Sequence, residues 1–418
     1  MKRLVQEVQD FVYVLVTNTG NGSNEPDYLA VVDTNPESEH YNSVIHKVKM
    51  YYVNDEIHRI SPYYNSSPGD STSNSLTNLL VTGIASSRIY FLETKNDFSK
   101  PEIAAVIEPD KLIKETRFSV PIKALQVNED IIIVSMLGAE NKDGSGGFAV
   151  IDAKTLDVLG RWESENPITF FNYDFSINKN HSELITGDFC SPNVFRGSLK
   201  NQDLIDGKYG SRIHIWDFST RQFLQSIDLG YDGLLPLSVQ WLNNSDNQGL
   251  ITSALSGNIW HLFNRNDQWQ AEKIAGQFES LVFDELAYTD ISMATSHAIS
   301  LNDRFLYVAE WLKGRIRQYD ISEIENTNLI ADLKIINRNS KNPYQNFIAG
   351  PSTIRLNNDG TRLYASSSFV NSWDKQFFAN KGTWLIRMNA HPESGELDLD
   401  DSFYLDFSPG KSGDIFLP

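Results

Sequence analysis

The stretch Asp55-Glu56-Ile57-His58-Arg59 sets an imidazole two residues from a carboxylate and directly beside a guanidinium. A histidine with a carboxylate neighbour can take up or give a proton near neutral pH. That makes His58 and Glu56 candidate catalytic residues. Arg59 can hold a carboxylate or another anion as a two-pronged fork. Other reactive residue types carry weaker signals. Cys190 could serve as a nucleophile only if exposed and lowered in pKa by a cation, and its context reads instead as a small buried apolar residue. Spacing alone supports no Ser-His-Asp arrangement. The glycines of Asn141-Lys-Asp-Gly-Ser-Gly-Gly147 are not followed by Lys-Ser/Thr and a helix, so this run is a tight turn and not a phosphate loop.

The elements that must position these residues announce themselves by repetition. Seven apolar strands each end in an acidic or amide residue: Tyr28–Asp33, Arg88–Glu93, Gly147–Asp152, Arg212–Asp217, Ile259–Asn264, Arg315–Asp320 and Trp384–Asn389. Their ends lie 47 to 69 residues apart with no long helical stretch between them, the pattern of propeller blades. A short Asp or Asn after a strand can bond its own following backbone and hold the turn, which assigns these acids a structural role. Leu301–Tyr307 and Leu356–Tyr364 repeat a second pattern, a turn and then a strand with a tyrosine. The predicted fold is all-β, a single seven-bladed β-propeller over residues 1–418. Its chemistry should lie where blade loops meet the central channel. His214 and His261 fall inside marker strands and read as blade residues, His46 as a strand end, and His40, His181 and His391 as solvated.

Composition narrows the partners. Asp and Glu outnumber Lys and Arg 54 to 36, a formal charge of −18, which repels phosphate backbones and anionic lipid. Nucleic acid and membrane insertion are therefore not expected, whereas a small-molecule ligand or a protein partner is compatible. One cysteine in 418 residues precludes an internal disulfide. The first ten residues carry Glu7 and Asp10 where a signal core would be apolar, so a cytoplasmic location is expected.

Ordered islands along nearly the whole chain, among them Pro26–Asp33, Asp55–His58, Gly69–Thr72, Ser86–Tyr90, Tyr173–Phe175, Ser191–Val194, Arg317–Ser322 and Trp373–Phe377, resemble the selenium-binding proteins, a family that includes methanethiol oxidases. The resemblance implies a seven-bladed propeller whose oxidase members hold copper with histidines lining the channel. An adjacent histidine pair of that family corresponds here to His58 and Arg59, so the second imidazole is replaced. A His-x-x-His motif falls on Ile122-Lys-Ala-Leu125, and the family's last histidine is missing before Asp414-Ile-Phe416. The cysteines linked to selenium correspond to positions around Asn65 and Pro68.

Copper sites need several converging imidazoles or thiolates, and a fixed guanidinium opposes a metal ion. The family's copper site is therefore not expected. Given the propeller that the resemblance implies, Glu56, His58, Asp70, Asp188, Asp374 and Lys375 are candidate channel-mouth residues. In one reading Arg59, Asp70, Asp188, Asp374 and Lys375 bind a small organic ligand, anionic or containing sulfur or selenium. In another, His58 with Asp70, Asp188 or Glu56 holds zinc or manganese. A third makes them an ion-pair and turn network. His297 is a further residue that could face the channel. The expected function is a ligand-binding propeller without copper chemistry. The alternatives are an oxidoreductase with a pocket rewired around His58, and a protein-interaction scaffold.

Overall fold

In the computed structural model, which describes residues 10–64, 77–94, 97–165, 168, 170–276, 290–337 and 347–418, seven four-stranded antiparallel sheets form a ring. Each marker strand occupies the same place, third from the axis, in one of the seven blades. The predicted turn bond forms at four of the seven marker strands. Asp33, Asp152, Asp217 and Asp320 accept the backbone N–H groups of Asn35, Lys154, Thr220 and Ser322 at 2.7–3.0 Å. These acids shape turns.

The innermost strands are Lys411–Phe416, Ile57–Tyr64, Phe118–Gln126, Asn172–Ile177, Pro236–Trp241, Ala294–Ile299 and Thr353–Leu356, for blades 1 to 7. Each packs against the next around the axis. Blade 1 closes the ring: the last strand of the chain pairs with Phe11–Thr17, setting Tyr13 opposite Phe416 and Val14 opposite Ile415. Buried apolar side chains from facing sheets fill the space between neighbouring blades. One such layer joins Leu80, Phe91 and Met136 between blades 2 and 3, and another joins Tyr307, Leu363 and Trp384 between blades 6 and 7.

An innermost strand has sheet partners on one side only, so its axial N–H groups must be satisfied by other means. Here the neighbouring blade supplies a side chain. Asp414 accepts from Ile60 N (2.9 Å), Ser61 from Ala124 N (3.2 Å), Asp174 from Val239 N (3.0 Å) and Ser296 from Ile354 N (3.3 Å). Four of the seven blade junctions are stitched this way.

Among the described residues four α-helices stand on one face. Helix α1 (Pro109–Thr116) links blades 2 and 3, α2 (Pro192–Arg196) and α3 (Asn201–Ile205) interrupt blade 4, and α4 (Asn371–Phe378) interrupts blade 7. In an antiparallel blade these connections all leave from the face where the innermost strands begin. Among the described residues no helix is long and apolar enough to cross a membrane. Replacing Ser61 or Ser296 by alanine should leave the fold intact and lower stability by about 1–2 kcal/mol, through an orphaned strand N–H. Equilibrium denaturation of each variant measures this.

Candidate functional site

The two ends of the axis differ in kind. At the helical face a single apolar cluster draws residues from blades 2 to 7, including Ile122, Leu235, Met293, Trp311 and Trp373, with Phe195 of α2 at its heart. Helices α2 and α4 converge there: Gln376 exchanges two hydrogen bonds with the backbone of Leu199 (2.8 and 3.0 Å). Toward the opposite face the innermost strands enclose a cavity of about 400 Å³ lined from all seven blades and reaching the exposed Asn358.

His58 belongs to the apolar end. Its Nε2 lies 2.6 Å from the Tyr173 hydroxyl, and Tyr173, Phe195 and Phe369 stand edge-on around the ring. Burial, and secondarily Arg59, depress its pKa well below the ordinary histidine value, so the ring is neutral at physiological pH. The free volume beside it is about 10 Å³, room for one water at most. Glu56 is part of the same end: its Oε1 accepts Asn371 N at the start of α4 (2.9 Å), and burial raises its pKa. Lys411, which is buried, donates to the Asn371 side chain (2.6 Å) and to Thr19 O (2.9 Å). Gly20, at φ +75°, lies so close to Asn371 that a Cβ there would overlap it.

Asp374, in the first turn of α4, is fully buried against the loop that leads into the helix. It accepts from the Ser368 hydroxyl (2.5 Å) and Phe369 N (3.1 Å), and burial pushes its pKa up to about 6. Lys375, one residue on, is exposed on the outer side of the helix. Asp188 holds blade 4 together by accepting Phe171 N (2.8 Å), and burial raises its pKa to about 6. Cys190 is fully buried in the apolar cluster, its thiol pushed well above the ordinary value by burial and by Asp188 and Asp203. Asp55 is buried under Arg88 (2.8 Å) and the Tyr90 hydroxyl. Asp70, like Asn65 and Pro68, lies outside the described residues.

Arg59 faces the other way from His58. It lies in the open cavity, 3.6 Å from Asp414, with its guanidinium 5.6 Å from the centre of the Tyr173 ring. Tyr173 thus separates the two ends of the axis, touching His58 on one side and Arg59 on the other. Around Arg59 stand residues that the sequence pattern did not single out. Arg355 pairs with Asp414 at 2.7 Å, and Lys123 pairs with Asp174 at 2.7 Å. Burial alone would raise Asp174, but Lys123 and Arg59 hold it below the ordinary carboxylate range. His297 also lines the cavity. Its Nδ1 is 2.8 Å from the Thr252 hydroxyl, and burial lowers its pKa to about 4. Of the other histidines, His214 and His261 lie within blades beside Ser226 and Gln248, His46 is near Pro101 O, and His40, His181 and His391 are exposed.

A seven-bladed propeller with one plugged and one open axial end is the class that fold and site define. The chain belongs to the selenium-binding protein family: its model, described as 56kDa selenium binding protein, matches residues 3–416. A methanethiol oxidase of Xenopus laevis is 32% identical over 433 residues, covering 97% of this chain and 92% of that protein. Selenium-binding protein 2 of Arabidopsis thaliana is 32% identical, covering 97% and 88%. The solved structure of a hypothetical selenium-binding protein from Sulfolobus tokodaii superposes with a TM-score of 0.88 at 32% identity, over 98% of this chain and 93% of that one.

The Asp374 carboxyl sets a pH test. Its folded pKa of about 6 lies above the ordinary 3.8, so its contribution is fully present below pH 3.8 and lost as pH rises through 6. That gap is worth about 3 kcal/mol. The stability of Asp374→Asn relative to the parent should therefore rise by up to that amount between pH 4 and 7, measured by denaturant titration at both pH values.

Proposed function

We propose that this chain is a small-molecule-binding propeller that takes an organic ligand into its axial cavity from the open face. The copper chemistry implied by the family resemblance does not operate at His58 in this reading. The observation that carries the proposal is the contrast between the ends: about 400 Å³ lined by charged and hydroxyl side chains at Arg59, against about 10 Å³ beside His58. The first volume is that of a ligand pocket. The second admits no organic molecule.

The donor set beside His58 does not fit copper. The ring is enclosed by three aromatic side chains, its Nε2 is engaged by Tyr173, and Arg59 follows it in sequence. Among the described residues no three His, Cys, Asp or Glu side chains gather where a metal ion could sit, which also weighs against zinc or manganese held by His58 with Glu56 or Asp188. The charge of −18 and the lone Cys190 support a cytoplasmic setting without nucleic-acid partners.

The 32% identity to a methanethiol oxidase favours one competing reading, an oxidoreductase acting on a small sulfur compound through His58. The two readings part on simple measurements. Purified protein should carry far less than one copper per chain and leave small thiols unoxidised; stoichiometric copper with thiol turnover would instead establish the oxidase. Gln240→Trp, which narrows the cavity from blade 5, should abolish ligand binding by calorimetry, whereas His58→Ala should leave it intact.

A further inference from the structure

The charges that line the axial cavity do not balance. Lys123 pairs with Asp174 at 2.7 Å, and Asp174 also acts at longer range on Arg59 and Arg355. Asp414, only 1% exposed, must serve two guanidinium groups. Its Oδ1 is 2.7 Å from Arg355 and 3.6 Å from Arg59, while its Oδ2 is committed to the backbone N–H of Ile60. Arg59, Lys123 and Arg355 against Asp174 and Asp414 leave an excess of one positive charge in the cavity wall, where two guanidiniums share the Asp414 carboxylate. The side chains of these arginines are 14% and 31% exposed. His297, the remaining titratable group of the lining, adds no charge near neutrality, because burial keeps its pKa at about 4. Burial first, and then Arg59, lower the Arg355 pKa in spite of Asp414 and Asp174.

Where cations outnumber carboxylates in a half-buried wall, an entering anion supplies the missing counter-charge. Arg59 makes the looser ion pair of the two, although Tyr173, Asp414 and Asp174 all favour its charged form. Its ion pair with Asp414 is long, and its planar fork suits the two oxygens of a carboxylate or sulfinate. The volume of about 400 Å³ exceeds what an inorganic ion would fill, and the lining adds Ser238 and apolar Ala124, Val239 and Ile299 for an uncharged portion.

We propose that the ligand of the axial cavity is an organic monoanion, its acid group held by Arg59 and Arg355 across Asp414 and its uncharged part lying toward the open face. This rests on the cavity being the ligand site, and names the chemical class that the site selects. The excess charge sits within a chain of net charge −18, so selection arises from this local pair and not from the field of the whole molecule.

The test compares 3-phenylpropionate with 3-phenylpropionamide, matched in shape and differing in charge, by calorimetry on the full chain. The acid should bind at least about tenfold more tightly than the amide. Arg355→Gln should bring that ratio near one by removing the excess charge, and Asp414→Asn should raise it by adding a second. The two variants move in opposite directions, which a loss of fold cannot imitate; thermal melts of both confirm folding. Equal binding of acid and amide by the parent would overturn the monoanion while leaving the cavity as a ligand site. Chloride competing as well as the acid at equal concentration would overturn the organic part. No binding of either compound to folded protein, with Gln240→Trp also without effect, would overturn the cavity reading together with this one.

Discussion

Seven sheets meet at this axis by their unpaired edges, and the structure depends on how those edges are satisfied. Every innermost strand turns backbone N–H groups toward a region without a partner strand. At four junctions a carboxylate or hydroxyl from the preceding blade accepts one of them, through Asp414, Ser61, Asp174 and Ser296. Such side chains must be polar, must point inward and must sit on the channel wall. The requirement that holds the ring together thereby furnishes the cavity with charge. Asp414 and Asp174 secure backbone with one oxygen and face Arg355 and Lys123 with the other.

The two ends follow from what the strands carry as they run along the axis. Where they begin, Ile122, Tyr173, Leu237 and Met293 turn inward and are roofed by Phe195, Phe369 and Trp373. Farther along, Lys123, Asp174, Gln240, His297 and Arg355 do so. The register of the innermost strands shifts at these positions, between Pro121 and Ala124 and between Asn172 and Phe175, and such a bulge lets neighbours like Ile122 and Lys123, or Tyr173 and Asp174, both turn toward the axis, one to each environment. A like shift between Ile57 and Arg59 parts His58 from Arg59, the pair with which the chemical reading of the sequence began.

This also explains what the sequence could disclose. The blades were legible because their signals are local: short apolar strands that end in an acidic or amide residue, and Asp residues that bond backbone two or three positions on, as at Asp152 and Asp320. The candidate site was legible only in pieces. Arg59 was singled out for its anion-binding fork, but Lys123, Arg355 and Asp414 come from blades 3, 7 and 1, and only ring closure assembles them. Lys375 attracted notice beside Asp374, yet the lysine that reaches the buried network is Lys411. Nothing local to Lys411 signals this, because Thr19 and Asn371, which it touches, are 392 and 40 residues away.

The closing strand has a consequence for the timing of assembly. Asp414 lies four residues before the end of the 418-residue sequence, on the strand that completes blade 1. During synthesis, Arg59 and Arg355 emerge well before Asp414, the carboxylate that pairs with both of them. Until that residue is made, the growing wall lacks the carboxylate that pairs with both guanidiniums and accepts the Ile60 N–H. The charge balance of the chamber wall is therefore set late: the blades that carry Arg59 and Arg355 are synthesised before the counter-charge that links them.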